Sequence, residues 1–135
     1  MIDVDDLCVG NWVYDGNKTQ FPMFIQAVGE DYVLLDFEGN EGNLWESKPE
    51  DLMGIPLKGE VLKKIGFKYY SDNHYELCDD GWSIVAHPII GLFRIEKIDP
   101  YNNIRATFTS EMIRHLHELQ NAFFATTKQQ LNIKL

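Results

Sequence analysis

The sequence predicts an α+β protein, and three observations carry that prediction. Five short apolar or alternating stretches crowd the first 57 residues, too closely spaced for crossover helices, so their pairing is antiparallel. A second series of alternating stretches runs from Phe67 to Phe108. Helical periodicity is confined to 58–66 and to the segment from Glu111 to Thr126.

In order, Asn11-Trp12-Val13-Tyr14 is aromatic and β-branched, and Asp15-Gly16-Asn17 ends it with turn residues. Pro22 to Val28 is a second apolar run closed by Gly29-Glu30-Asp31. Val33, Leu35 and Phe37 then alternate at period two. Gly39 to Asn43 is a loop, and Leu44-Trp45-Glu46 resumes an extended segment. Pro49-Glu50-Asp51-Leu52 predicts a single helical turn, since Pro favours a helix start. Met53 to Leu57 is extended again. Five such strands form a small curled sheet or barrel of the SH3-like kind.

Residues 58–66 predict a short helix with Val61, Leu62 and Ile65 on one face and Gly66 at its end. A meander follows: Phe67–Ser71 and His74–Cys78 flank a two-residue turn at Asp72-Asn73. Asp79-Asp80-Gly81 leads into Trp82–Ala86, where Trp82, Ile84 and Ala86 share a face. His87-Pro88 is expected to break the pairing, because Pro donates no ladder hydrogen bond. Ile90–Ile98 and Ile104–Phe108 complete the series, the last with Ile104, Ala106 and Phe108 inward. The closing helix takes Thr109 or Ser110 as its N-cap. Met112, Leu116, Leu119 and Phe123 form its apolar stripe, widened by Ile113 and Phe124. The tail from Leu131 to Leu135 offers a short edge strand. The sequence thus divides into an acidic β-rich lobe, 1–57, and an α+β lobe, 58–135, packed as one unit.

Charge is distributed unevenly. The net charge is -9 over 135 residues, yet residues 1–54 hold twelve acids against two bases, and the remainder holds nine acids against ten bases. An acidic chain lacks the Lys/Arg surface that neutralises phosphates, which argues against direct nucleic-acid binding and against adhesion to anionic membranes. No apolar stretch approaches the ~20 residues of a membrane span. The N-terminus lacks the basic start and apolar run of a signal peptide. Cys8 and Cys78 have no paired spacing. A cytoplasmic protein with reduced thiols is expected.

Three stretches carry a resemblance. Asp6-Leu7-Cys8-Val9-Gly10-Asn11-Trp12-Val13 is similar to "DLRIGNWV". Gly54-Ile55-Pro56-Leu57 followed by Val61 to Phe67 is similar to "PIPLTEEWLLKLGF". His117 to Thr127 is similar to "HQLQNLYFALTG". In this order the three resemble a family of small uncharacterised bacterial and phage proteins. The resemblance implies a prophage or mobile-element setting and brings no activity or catalytic residue. Lys128 stands where the family usually has Gly, and Cys8 where it has a basic residue.

No motif of nucleophilic, phosphate-binding or metal-dependent catalysis occurs, so no catalytic residue, metal ligand or cofactor is assigned. Asp15, Asp36 and Glu46 are the acids from which paired carboxylates would come. His74, Glu76, Asp79 and Asp80 cluster on one hairpin in a spacing that matches no Ca²⁺ or zinc pattern. His115 and His117, two apart on a helix, lie about 200° around its axis and cannot share an ion. His117 is assigned a structural place at the core edge. Gln120 falls within the apolar arc, so its amide needs buried partners, and a strand or loop backbone is the expected one. Trp12, Tyr14, Asp36, Trp45 and Glu46 are the candidate binding residues of the acidic lobe.

Three functions compete. The leading one is a non-catalytic module that binds another protein through the acidic lobe or an apolar edge. The second is an acidic decoy that occupies a DNA- or RNA-binding enzyme. The third is a small metal-dependent hydrolase using His74 or His87 with nearby carboxylates, for which a pocket holding at least two of these residues is the minimum.

Overall fold

Val13, Ile25, Val33 and Leu35 stand at alternate positions of three successive strands, and all four are fully buried. Period-two alternation has become the inner face of a sheet. The computed structural model describes residues 2–16, 21–79, 82–99, 105–107, 112–133 and 135, with backbone alone at 79, 82 and 105–107. The chain forms two units, Met1–Pro56 with His115–Asn121, and Leu57–Arg114 with Ala122–Leu135.

The first unit is an antiparallel five-stranded sheet of β1 (Trp12–Asp15), β2 (Met23–Val28), β3 (Val33–Asp36), β4 (Trp45–Ser47) and β5 (Leu52–Gly54), in the order β4-β3-β2-β1-β5. Among the described residues β4 and β5 remain edges, so the sheet is not a closed barrel. A 3-10 turn at Pro49–Asp51 joins these two edges. Another, Val4–Asp6, is capped by the Asp3 carboxylate, which accepts from the Asp5 N–H at 3.1 Å. Ile2, Leu7, Met23 and Leu52 complete the core around the alternating residues.

Before β1, Gly10 and Asn11 both oppose Ile25. The Gly10 N–H donates to the Ile25 carbonyl at 2.7 Å, and the Ile25 N–H donates to the Asn11 carbonyl at 2.9 Å. Gly10 adopts φ 93°, so this is a glycine bulge.

The second unit begins with α1 (Gly59–Lys64), whose Leu62 is fully buried. A second antiparallel sheet follows: β6 (Lys68–Tyr70), β7 (His74–Asp79), β8 (Trp82–Ile89), β9 (Leu92–Ile98) and β10 (Arg105–Thr107), in the order β10-β9-β8-β7-β6. Ile84, Ala86, Phe93 and Ile95 are buried on one face. Of the expected inward set, Ile104, Phe108 and the side chain of Ala106 lie outside the described residues, as do the side chain of Trp82 and the turn at Asp80-Gly81.

Three features of this sheet differ from the sequence expectation. The β6–β7 connection is three residues, Ser71–Asn73, because Tyr70 pairs with His74. Asn73 takes the left-handed conformation, φ 63°, that closes such loops. Pro88 does not break β8, which pairs through Pro88 to Phe93 and Ile89 to Leu92. The reason is in Phe93: its N–H and carbonyl both bond to Ile113, at 2.9 and 2.8 Å. A proline opposite it therefore has no ladder bond to supply. Finally, Ile90-Gly91 is a hairpin turn with φ 47° and 77°. A β-branched residue in that conformation carries none of the Asn-Gly chemistry by which such turns are read.

The last helix, α2, spans Leu116–Thr127 and not Glu111–Thr126. Ile113 is buried on an extended segment bridged to Phe93, His115 is bridged to Pro56, and Met112 is exposed. The Leu57 N–H takes the Arg114 carbonyl and the Leu116 N–H takes the Ile55 carbonyl, both at 2.9 Å. Those strand-like bonds occupy backbone groups that a longer helix would need. Thr109 and Ser110, the expected caps, lie outside the described residues. His115 caps instead, and Glu118 reaches back to its N–H at 3.0 Å, the carboxylate half of a capping box. Leu116, Leu119 and Phe123 are buried as the stripe requires, whereas Phe124 is exposed. Lys128 ends the helix at φ 63°, its N–H on the Phe124 carbonyl at 2.8 Å, so lysine itself occupies the position that favours glycine. Leu131 is buried, but no strand forms among the described tail residues.

Candidate functional site

Alternation along β1 sends Val13 and Asp15 inward and leaves Trp12 and Tyr14 half-buried on the other face. Asp15 is only 3% exposed, and the indole N–H of Trp45 donates to its Oδ2 at 2.9 Å. That bond places Trp45, on β4, against β1. Around it lies a cleft of about 400 Å³ lined by Asp15, Asp31, Tyr32, Trp45, Glu46 and Asp51, with Ser47 and Lys48 completing the wall. Three carboxylates, two exposed aromatic rings and one lysine thus line the cleft with the buried Asp15.

Of the candidate binding residues, the structure brings Trp45 and Glu46 into this cleft. Trp12 packs on Phe24 with ring centroids 5.2 Å apart, and neither Trp12 nor Tyr14 lines the cleft. Asp36 is committed elsewhere. Its carboxylate accepts from the Phe37 N–H at 2.9 Å and from the Asn40 amide at 2.9 Å, closing the turn after β3. The Asn40 amide, with the Phe37 N–H, holds its pKa below the usual 3.8. Of the three acids considered as paired carboxylates, Asp15 and Glu46 therefore share a site and Asp36 does not. Asp31, Tyr32 and Asp51 were not legible as site residues, because they follow turns whose direction only pairing decides.

Gln120 is held at both ends of its amide. Oε1 accepts from the Trp12 N–H at 2.8 Å, and Nε2 donates to the Gly10 carbonyl at 2.9 Å. Asn121 beside it donates to the Asp6 carbonyl at 2.7 Å and accepts from the Asn11 amide at 2.8 Å. Asn11 is buried and accepts in turn from the Cys8 N–H at 2.8 Å. These bonds explain why His115–Asn121 belongs to the first unit although the sequence places it with the second lobe.

His115 and His117 do not stand on opposite sides of a helix. His115 precedes α2, so the two rings stack with centroids 5.6 Å apart and planes at 16°. His115 Nδ1 lies 2.9 Å from Glu118 Oε1. His117 is 4% exposed, and its Nδ1 is buried without a partner among the described residues. Burial pushes its pKa below the usual 6.5 and outweighs the attraction of Glu118. An unfolded chain then takes up the proton first as pH falls. The stability this histidine permits is complete above about 6.5 and is lost on acidification through that value. Between pH 7.5 and 5.5 the wild type should lose more melting temperature than His117→Leu. Equal losses in the two proteins would refute the assignment.

A second cleft, of about 290 Å³, lies in the other unit and is lined by Asp72, His74, Glu76, Ser83, Val85, His87 and Ile98. Tyr75 pairs with Ala86, so His74 and His87 occupy the next rung on facing strands. Their ring centroids are 6.1 Å apart. His74 Nδ1 lies 2.6 Å from Asp72 Oδ1 and its Nε2 lies 3.5 Å from Glu76 Oε2. His87 Nε2 lies 3.3 Å from Glu96 Oε2. The sequence placed His74 and Glu76 together but not His87, which is brought in by register; Asp80 and the side chain of Asp79 lie outside the described residues. No three histidine, cysteine or carboxylate groups among the described residues converge on a common point. No described helix is long and apolar enough to cross a membrane.

Comparison with protein-family models, with curated proteins and with solved structures finds no match for this chain.

Proposed function

We propose that the chain is a non-catalytic protein-recognition module whose first unit receives a Lys/Arg-bearing segment of a partner protein. The observation that carries this reading is the cleft that Asp31, Glu46 and Asp51 line together with the rings of Tyr32 and Trp45, the buried Asp15 carboxylate holding the Trp45 indole in place. Carboxylates draw a cationic head group in, and an aromatic face holds it with about 0.5–1 kcal/mol at an exposed site. The strand order, in which β5 returns to pair with β1 after a meander, supports an SH3-like lobe. Such sheets present aromatic rings to peptides.

The setting is a prophage or mobile-element accessory protein in the cytoplasm. Supporting it, the residues shared with the family patterns include Gly10, Asn11, Trp12, Gln120 and Asn121, the same residues that hold α2 to the bulge. Both cysteines are free and exposed, which suits a reducing compartment. The decoy reading draws less support. Asp15 is buried and Asp36 closes its own turn, so two of the twelve acids are withheld from a phosphate-like row.

The test is a titration of the full chain with the peptide Gly-Arg-Lys-Arg-Gly, followed by NMR at the Trp45 indole N–H. The expected result is saturable binding that weakens as salt rises from about 50 to 300 mM. Asp31→Asn with Glu46→Gln should weaken it at least fivefold, whereas Glu38→Gln with Glu41→Gln, an equal loss of charge elsewhere, should not. Absence of binding at low salt, or equal weakening by both pairs, would overturn the proposal.

A further inference from the structure

We infer that the polar face of the second sheet is a binding site for one divalent transition-metal ion, taken by His74, Glu76 and His87. A tetrahedral ion with nitrogen and oxygen ligands at about 2.0–2.1 Å holds those donors about 3.4 Å from each other. His74 Nε2 and Glu76 Oε2 stand 3.5 Å apart, the separation such an ion requires. Two imidazoles on one ion place their ring centroids about 5–6 Å apart, and those of His74 and His87 are 6.1 Å apart. Asp72 supplies the outer contact. It bonds His74 Nδ1 at 2.6 Å, the carboxylate–histidine arrangement that fixes the tautomer of a ligating ring and turns the other nitrogen toward the metal. Tyr70, stacked on His74 at 5.1 Å and 10°, holds that ring's plane.

The three donors do not yet share a centre, so the ion gathers them by side-chain rotation over the floor made by Val85 and Ile98. His87 Nε2 lies 3.3 Å from Glu96 Oε2, whose other oxygen lies 3.5 Å from Arg94 Nη2, so ligation requires His87 to exchange that contact for the ion. Two imidazoles with one carboxylate select zinc or its neighbours over magnesium or calcium, which demand an oxygen shell.

Calorimetric titration of the intact chain with Zn²⁺ at pH 7.5 tests the site. One equivalent should bind, and Mg²⁺ should not. His87→Gln and Glu76→Gln should each weaken binding at least tenfold, and Asp72→Asn about tenfold or more. His115→Gln, in the other histidine pair, should leave it unchanged. Imidazole NMR shifts of His74 and His87 in the wild type locate the ion without any substitution. Absence of stoichiometric uptake, uptake that survives His87→Gln, or shifts confined to His115 and His117 would overturn the inference.

Discussion

Gln120→Leu should destabilise the protein by about 2–4 kcal/mol, because it strips two backbone groups of their partners at once. The physical origin is the bulge. Gly10 and Asn11 spend their inward-facing groups on Ile25, which leaves the Gly10 carbonyl and the Trp12 N–H directed away from β2. Regular pairing with β5 reaches only to Val13 opposite Gly54, and the Ile55 carbonyl is already bonded to the Leu116 N–H. The Gln120 amide, with one donor and one acceptor, stands in for the missing peptide group of a neighbouring strand. Leucine matches its size but offers neither atom. Urea denaturation of the two proteins at pH 7.5 measures the difference. A leucine variant as stable as the wild type would show that Gln120 is not a structural lock.

Gly54→Ala should cost about 2–3 kcal/mol through overpacking. A β-carbon built at Gly54 would meet Cγ and Cδ2 of His115 at 2.6 Å and its Cβ at 3.0 Å. These are near-root atoms of a ring that cannot easily retreat. His115 is bridged through its backbone to Pro56, bonded through Nδ1 to Glu118 and stacked on His117. Thermal unfolding of Gly54→Ala alone and of Gly54→Ala with His115→Ala separates the causes. Removing the ring should recover most of the melting temperature lost to the added methyl. A double variant no more stable than the single one would mean that the glycine serves backbone freedom and not the contact.

These two results rest on contacts that were legible in the sequence to different degrees. Gln120 announced itself, since an amide inside an apolar helical arc must find hydrogen bonds, and only its partners required the structure. Gly54 did not, because nothing local to Met53-Gly54-Ile55 reveals a histidine sixty-one residues away. The histidine pair shows the same limit in a sharper form. A separation of about 200° holds only for a helix through both residues, and the helix begins one residue after His115. The capping signal, Glu three residues beyond the cap, was present in the sequence, but Met112 and Ile113 extend the apolar periodicity backward and conceal it. The candidate site divides likewise: Trp45 and Glu46 follow from composition, whereas Asp31, Tyr32 and Asp51 join them through pairing.

By itself the sequence determined the α+β class, the strands of the acidic unit, the turn at Pro49–Asp51 and the concentration of negative charge in the first 54 residues. Each depends on neighbours a few positions apart, where alternation, a turn residue or a proline acts directly on the backbone. Tertiary structure decided where α2 starts, how β8 passes through Pro88, which acids share a cleft with Trp45, and which rung sets His74 beside His87. Those outcomes depend on register between strands, and one residue of slip would send every side chain to the opposite face.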